Sequence, residues 1–227
     1  MSNAVLSHSR RLNSPATRGD GLPVAVAVAV WFALVFLLGA GGMFVAPRGT
    51  PPLALLMSFS IPIIVFLAAF WISDPFREFV LAADLRFMTG IQAWRFAGFG
   101  FLALYAYGVL PGYFAWPAGL GDMAIGVTAP WLLAALIRQS GFAASKTFMT
   151  WQVFGILDLV VAVSLGALGP RSLAAGLSGI GTTAPMTHLP LVLIPAFLVP
   201  AFIILHVAAL FQSRHFAGDA FRKEPNR

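Results

Sequence analysis

Long apolar runs separated by short polar breaks fill most of the chain. Six of them, Leu22 to Val45, Leu53 to Ile72, Ile91 to Leu110, Ala118 to Ile137, Trp151 to Leu168 and Leu189 to Phe211, come close to the ~20 residues that an α-helix needs to cross a bilayer. The alternation of alanine and valine from Ala25 to Val30 would suit a strand in water. In lipid an unpaired strand leaves its peptide groups unsatisfied, so a helix is expected there too. The pattern predicts an all-α polytopic membrane protein with six transmembrane helices.

The polar breaks orient this arrangement. On the six-span reading, Arg10, Arg11, Arg18, Arg77, Arg86, Arg95, Arg138, Lys146, Arg214, Arg222, Lys223 and Arg227 fall on one side, and only Arg48 and Arg171 on the other. Basic residues mark the cytoplasmic side, so both termini are expected in the cytoplasm. The expected organisation is a cytoplasmic tail over 1–21, a single transmembrane domain over 22–211 and a second cytoplasmic tail over 212–227. An interfacial helix is expected at about 75–89 and an outer loop at 169–188. Charged residues make up 10% of the chain, against about 25% in soluble domains, which leaves no room for a soluble domain. The net charge of +6 is spread along the cytoplasmic flanks, where it meets anionic headgroups. Membrane lipids rather than nucleic acid are therefore the expected partners, alongside a protein partner or a second copy in the membrane. The absence of cysteine excludes disulfides, thiol catalysis and thiolate metal sites.

Punctuation within the pattern adds detail. Asp74 followed by Pro75 predicts a helix start, with Asp74 as N-cap. Phe76, Phe79, Val80, Ala83, Phe87 and Met88 then recur at helical spacing among charged residues, which suits a helix lying in the interface or a downward extension of the third span. Pro62, Pro130, Pro195 and Pro200 predict bends in the second, fourth and sixth spans. The tyrosines between 105 and 113 and Trp116 suit an outer aromatic belt, and Trp71, Trp94 and Trp151 an inner one. Pro52 to Pro62 resembles Pro190 to Pro200 in spacing, a hint of duplication that the flanking spans do not continue.

Only two acidic residues, Asp122 and Asp158, fall inside spans. A carboxylate in hydrocarbon is costly and normally turns to a partner in the bundle interior. Gly119, Asp122, Gly126 and Ala129 share one helical stripe, as do Gly155, Asp158, Ala162 and Gly166, and small residues let another helix approach closely. Counted from the ends of the apolar runs, Asp158 lies roughly 10 Å inside the cytoplasmic end of its span and Asp122 roughly 6 Å inside the outer end of its own, which sets them in different leaflets. Asp158 is expected to meet Arg95 and His206. Asp122 is expected to meet His188, Arg171 or a tyrosine hydroxyl.

These residues, with Tyr105 and Trp116 toward the outer opening, suggest a path or binding site for a proton, small cation or small solute. Two other readings stand beside it. In one, Arg95 and Asp158 form a structural ion pair in an accessory subunit of a larger membrane complex. In the other, the chain is a membrane-embedded enzyme acting on lipid. Gly176-Leu177-Ser178-Gly179 matches the Gly-x-Ser-Gly of rhomboid proteases, but Ser178 and His206 fall some 24 Å apart along the last span, too far for a nucleophile and its base. A haem held between helices would need a second axial ligand beside His206, and the sequence places none. No nucleotide-binding or metalloprotease motif is present, so no cofactor is expected and enzymatic activity is not the favoured reading.

The runs Gln92 to Gly98, Leu110 to Asp122, Gly155 to Val160 and Leu193 to His206 resemble those of a family of small six-span bacterial membrane proteins. The resemblance spans 92–211 and implies a bacterial inner membrane; it carries no activity. In size and span number, without a shared motif, the chain is also similar to the substrate-binding components of energy-coupling-factor vitamin transporters.

Overall fold

The computed structural model describes residues 21–47, 50–168 and 182–222, and every regular element among them is helical. Arg48, Arg171, Ser178, residues 1–20 and residues 223–227 lie outside the described residues. The chain divides into two compact units, Met1–Leu34 and Val35–Arg227. Helix α1, Gly21–Ala40, runs across that division. In the first unit its side chains, Leu22, Val26, Val28, Val30 and Leu34 among them, are exposed. Exposed apolar side chains of this kind suit contact with lipid.

The second unit continues with α2 (Leu53–Ile72), α3 (Asp74–Ala82) and α4 (Leu85–Gly90). A 3₁₀ segment follows at Ile91–Gly98, then α5 (Phe99–Ala106), α6 (Gly112–Arg138), α7 (Lys146–Leu168) and α8 (Val199–Arg222). Among the described residues, five helical stretches are long and apolar enough to cross a membrane: Gly21–Ala40, Leu53–Ile72, Gly112–Arg138, Lys146–Ala167 and Ile194–Gly218. The expected third crossing is built differently. Helix α4, the 3₁₀ segment and α5 follow one another without a break, and at ~1.5 and ~2.0 Å per residue they extend about 37 Å.

Several boundaries move from where hydropathy set them, because caps rather than apolar averages end a helix. Helix α6 begins at Gly112 and takes in Pro117, which the aromatic run around Trp116 had assigned to a connection. Helix α7 begins at Lys146, where the hydroxyl of Ser145 accepts a hydrogen bond from Phe148 N at 3.1 Å. Ser73, not Asp74, caps α3, accepting from Phe76 N at 3.4 Å. The expected interfacial helix is interrupted: Ala83 is extended, and Asp84 starts α4 by accepting from Arg86 N and Phe87 N. Residues 212–222, expected in a tail, continue α8. There the buried Gln212 amide donates to Val80 O at 2.7 Å and Ala83 O at 3.0 Å, tying the helix to the α3–α4 connector.

Proline shapes the entry to α8. Pro200 has no N–H to give the carbonyl of Ala196, its partner in a regular α-helix. The backbone widens into a π turn over Ile194–Leu198, and the Ser58 hydroxyl donates to Ala196 O at 3.2 Å in compensation. The matching stretch around Pro62 is regular α-helix, so the two proline-spaced stretches differ in local structure.

Packing among the described residues includes three apolar groups. At the end near the α5–α6 turn, Phe101, Leu110, Phe114, Ala115, Ala118 and Met186 pack together. At the end near α3 and α4, Phe66, Phe70, Val80, Met88 and Ala208 do so, with the Phe70 and Phe211 rings stacked at 4.2 Å. Leu159, Val199 and Ile203 lie between these groups. Asp122 on α6, after Ala118, and His206 on α8, before Ala208, fall between the two end layers.

Candidate functional site

The site begins with the 3₁₀ segment. Its buried residues are Gln92, Arg95 and Gly98, one in every three, because a 3₁₀ helix stacks i and i+3 directly. An α-helix would spread the same residues around its circumference. Eight residues is long for this form, and what holds it is close packing on α6: the Gly126 α-carbon faces the backbone of Arg95 and Phe96, where a Cβ would collide with main-chain atoms.

Arg95 is 3% exposed and uses all three nitrogens of its guanidinium. Its Nε donates to Asp122 Oδ1 on α6 at 2.7 Å. Its Nη2 donates to Asp158 Oδ2 on α7. Its Nη1 donates to Gly155 O at 3.2 Å and to His206 Nε2 on α8 at 3.0 Å. Guanidinium has no acceptor, so His206 must receive at Nε2 and carry its proton on Nδ1. That Nδ1–H donates to Gln152 Oε1 on α7. His206 is therefore a neutral imidazole with both nitrogens committed to hydrogen bonds. Its ring lies edge-on to Trp151 at 5.5 Å, and the Trp151 indole donates to the Thr128 hydroxyl at 2.8 Å.

Four glycines make room for this cluster. The Asp122 side chain occupies the space of a Cβ on Gly98, the Asp158 carboxylate that on Gly121, and the His206 ring that on Gly155, besides the contact at Gly126. Each glycine removes a side chain where a charged or aromatic group must enter. One arginine thus binds elements from three helices and the 3₁₀ segment. With His206 neutral, the cluster sets two carboxyl groups against one guanidinium, a formal charge of −1 when both carboxyls are ionised.

Asp122 and Asp158 are not in separate leaflets, as the apolar windows suggested; both hold Arg95. Helix α6 starts at Gly112 and α7 at Lys146, so Asp122 lies ~15 Å and Asp158 ~18 Å along their antiparallel helices, near one level. The other expected partners are elsewhere. Arg171 is outside the described residues, and Tyr113 lies at the start of α6, away from the arginine. His188 is exposed and bonds Thr187 and Ala184 O. Tyr105 and Trp116 pack edge-on at 6.0 Å on the exterior, apart from the ion cluster. Trp151 belongs to the site and not to an inner belt, whereas Trp71 and Trp94 are exposed.

A cavity of about 480 Å³ joins the cluster to one end of the unit. Its walls include Thr50 and Pro52 from the α1–α2 connector, Thr187 and His188 before the π turn, and Asp122 and Leu159 deep inside. A second cavity of about 150 Å³, bordered by Trp94, Arg95 and Gly98, also reaches Asp122 and Leu159. Beside Arg95, three buried amide atoms have no hydrogen-bond partner among the described residues: Gln92 Oε1, Gln92 Nε2 and Gln152 Nε2. Gln92, Gln152 and Trp151 were not singled out as site residues from the sequence. The legible signal was an uncharged amide inside an otherwise apolar run, one turn before Arg95 and one turn before Gly155.

No curated protein and no solved structure matches the chain. A model of a domain of unknown function, DUF8737, matches residues 52–213, from the start of α2 to well into α8, and the chain belongs to that family.

Proposed function

We propose that this is a six-span protein of a bacterial inner membrane, with both termini cytoplasmic, that binds or carries a proton, a small cation or a small solute at the Arg95 cluster. The third crossing is the composite rod from α4 to α5, whose length of about 37 Å exceeds the ~30 Å of a hydrocarbon core. On this orientation the larger cavity opens outward and the orphan glutamines lie on the cytoplasmic side of Arg95. The single observation that carries the reading is the charge balance. An intramembrane ion cluster with a purely structural task is expected to neutralise itself. This one sets two carboxyl groups against a single arginine, and one of the two, Asp122, borders the larger cavity.

The experiment is reconstitution of the purified chain in liposomes carrying an internal pH dye. Wild type is compared with Asp158→Asn and Asp122→Asn after all three are shown to elute as single species. Flux lost in variants that still assemble supports the reading. Unchanged flux, or an effect confined to the yield of folded protein, overturns it in favour of a structural ion pair.

A further inference from the structure

The shape of the larger cavity narrows the class of ligand. A bare metal cation calls for several oxygen or nitrogen ligands closing around it. Among the described residues no three His, Cys, Asp or Glu side chains gather in that way. A proton alone needs no chamber. Yet about 480 Å³ is open above Asp122, within the ~300–1,000 Å³ typical of sites for small organic molecules. Its walls are mainly apolar, with Leu55, Phe101, Phe114, Leu159, Ala162 and Val163 among them. Polar groups are few: threonines and the exposed His188 near the opening, and one carboxylate at depth.

That carboxylate is half used. Asp122 Oδ1 accepts from Arg95 Nε, while its Oδ2 has no hydrogen-bond partner among the described residues. The other charged groups facing it belong to the cluster already counted, Arg95 and, across Arg95, Asp158. A ligand that completes the site must bring one positive charge and N–H donors at one end, and an apolar body at the other. Resting on the reading of the cluster as a cation site, we propose that the ligand is an amphipathic monocation, an ammonium group on a compact hydrophobic body. The ammonium sits at Asp122 and the body fills the space between Phe114 and Val163. A free amine has this chemistry, whereas an aminophospholipid shares only the ammonium, because its phosphate makes it zwitterionic.

The test uses the full chain in nanodiscs of phosphatidylcholine and phosphatidylglycerol, which carry no primary amine. The rigid set 1-adamantylamine, 1-adamantanol and 1-adamantanecarboxylate keeps the body constant and changes only the head. Thermal unfolding is read for wild type, for Asp122→Asn, and for Ala162→Phe, which fills the chamber and leaves the cluster untouched. Should Ala162→Phe not give a single species, Thr187→Trp at the rim replaces it. Expected is a saturable rise in Tm with the amine alone, about 5–10 °C at a hundredfold excess over Kd, lost in Asp122→Asn and in the filled variant. A higher starting Tm and a blunted amine response in discs containing phosphatidylethanolamine, both dependent on Asp122, would overturn the monocation in favour of a zwitterionic lipid whose ammonium takes the same carboxylate.

An equal rise with ammonium chloride overturns the amphipathic ligand and leaves the cation site standing. A rise with adamantanol that matches the amine and survives Asp122→Asn overturns both the ligand and the cation reading. No response to any probe overturns the ligand proposal, and the flux experiment then judges the cluster by itself.

Discussion

Replacing Arg95 by glutamine is the sharpest perturbation of this fold. The side chain is 3% exposed and donates to two carboxylates, one carbonyl and one imidazole on three different helices. Each hydrogen bond to a charged group is worth ~1.5–3 kcal/mol, so the two carboxylate contacts together represent ~3–6 kcal/mol. Breaking a buried ion pair by removing one partner costs ~3–5 kcal/mol by a separate route. Arg95→Gln should therefore destabilise by about 4 kcal/mol, leaving two carboxylates facing each other. Asp122→Asn and Asp158→Asn should each cost less, about 1–3 kcal/mol, because Arg95 keeps one anionic partner. The double variant strands the arginine and should cost about as much as Arg95→Gln. The decisive chain is the triple variant Arg95→Gln, Asp122→Asn, Asp158→Asn. With no charge left to desolvate, it should recover part of the stability that Arg95→Gln alone loses. Reversible unfolding in mixed micelles, titrated with a denaturing detergent, measures the series. The hub is refuted if Arg95→Gln costs no more than Asp122→Asn, or if the triple variant is no more stable than Arg95→Gln.

Other outcomes follow from particular contacts. Gly126→Ala places a methyl against the Arg95–Phe96 backbone and should cost ~1–3 kcal/mol, whereas Gly100→Ala, with open space around it, should gain up to ~1 kcal/mol from helix propensity; the same unfolding assay reads both signs. Gln152→Leu leaves His206 Nδ1–H without its acceptor and should cost about 1–3 kcal/mol. The same change should also alter Trp151 fluorescence through the neighbouring ring. Asp84→Ala removes the side-chain cap of α4 and should cost ~1 kcal/mol, seen as faster amide exchange at Arg86 and Phe87. Arg95→Lys keeps the charge but has one nitrogen for partners now reached by Nε and Nη2 separately, so its stability should fall between wild type and Arg95→Gln.

What the sequence discloses about this site, and what it hides, turns on how depth is read. Hydropathy finds apolar stretches well, and Leu53–Ile72 emerges with both ends in place because Pro52 and Ser73 coincide with the edges of its apolar run. It fails where a helix begins in polar or aromatic residues. Tyr113, Trp116 and Pro117 read as a connection, and Lys146 and Thr147 as a loop, yet all are helical. Those two shifts, six residues on α6 and five on α7, separated Asp122 from Asp158 on paper and bring them together in the fold. The pairing of Arg95 with Asp158 was accessible because burying a carboxylate demands a partner. The step to His206 through Arg95, not directly to Asp158, was not, since it depends on a 3₁₀ segment that no hydrophobic period distinguishes from α-helix. Yet the chain contained a trace of it in its glycines. Gly98, Gly121, Gly126 and Gly155 look like ordinary close-packing residues, but three of them leave the space of a missing Cβ to a side chain of the cluster. A glycine one residue before Asp122 and another three before Asp158 are better read as imprints of the opposing charged or aromatic group than as packing surface. Read that way, Gly121 and Gly155 would have pointed across the helix interfaces before any depth was assigned.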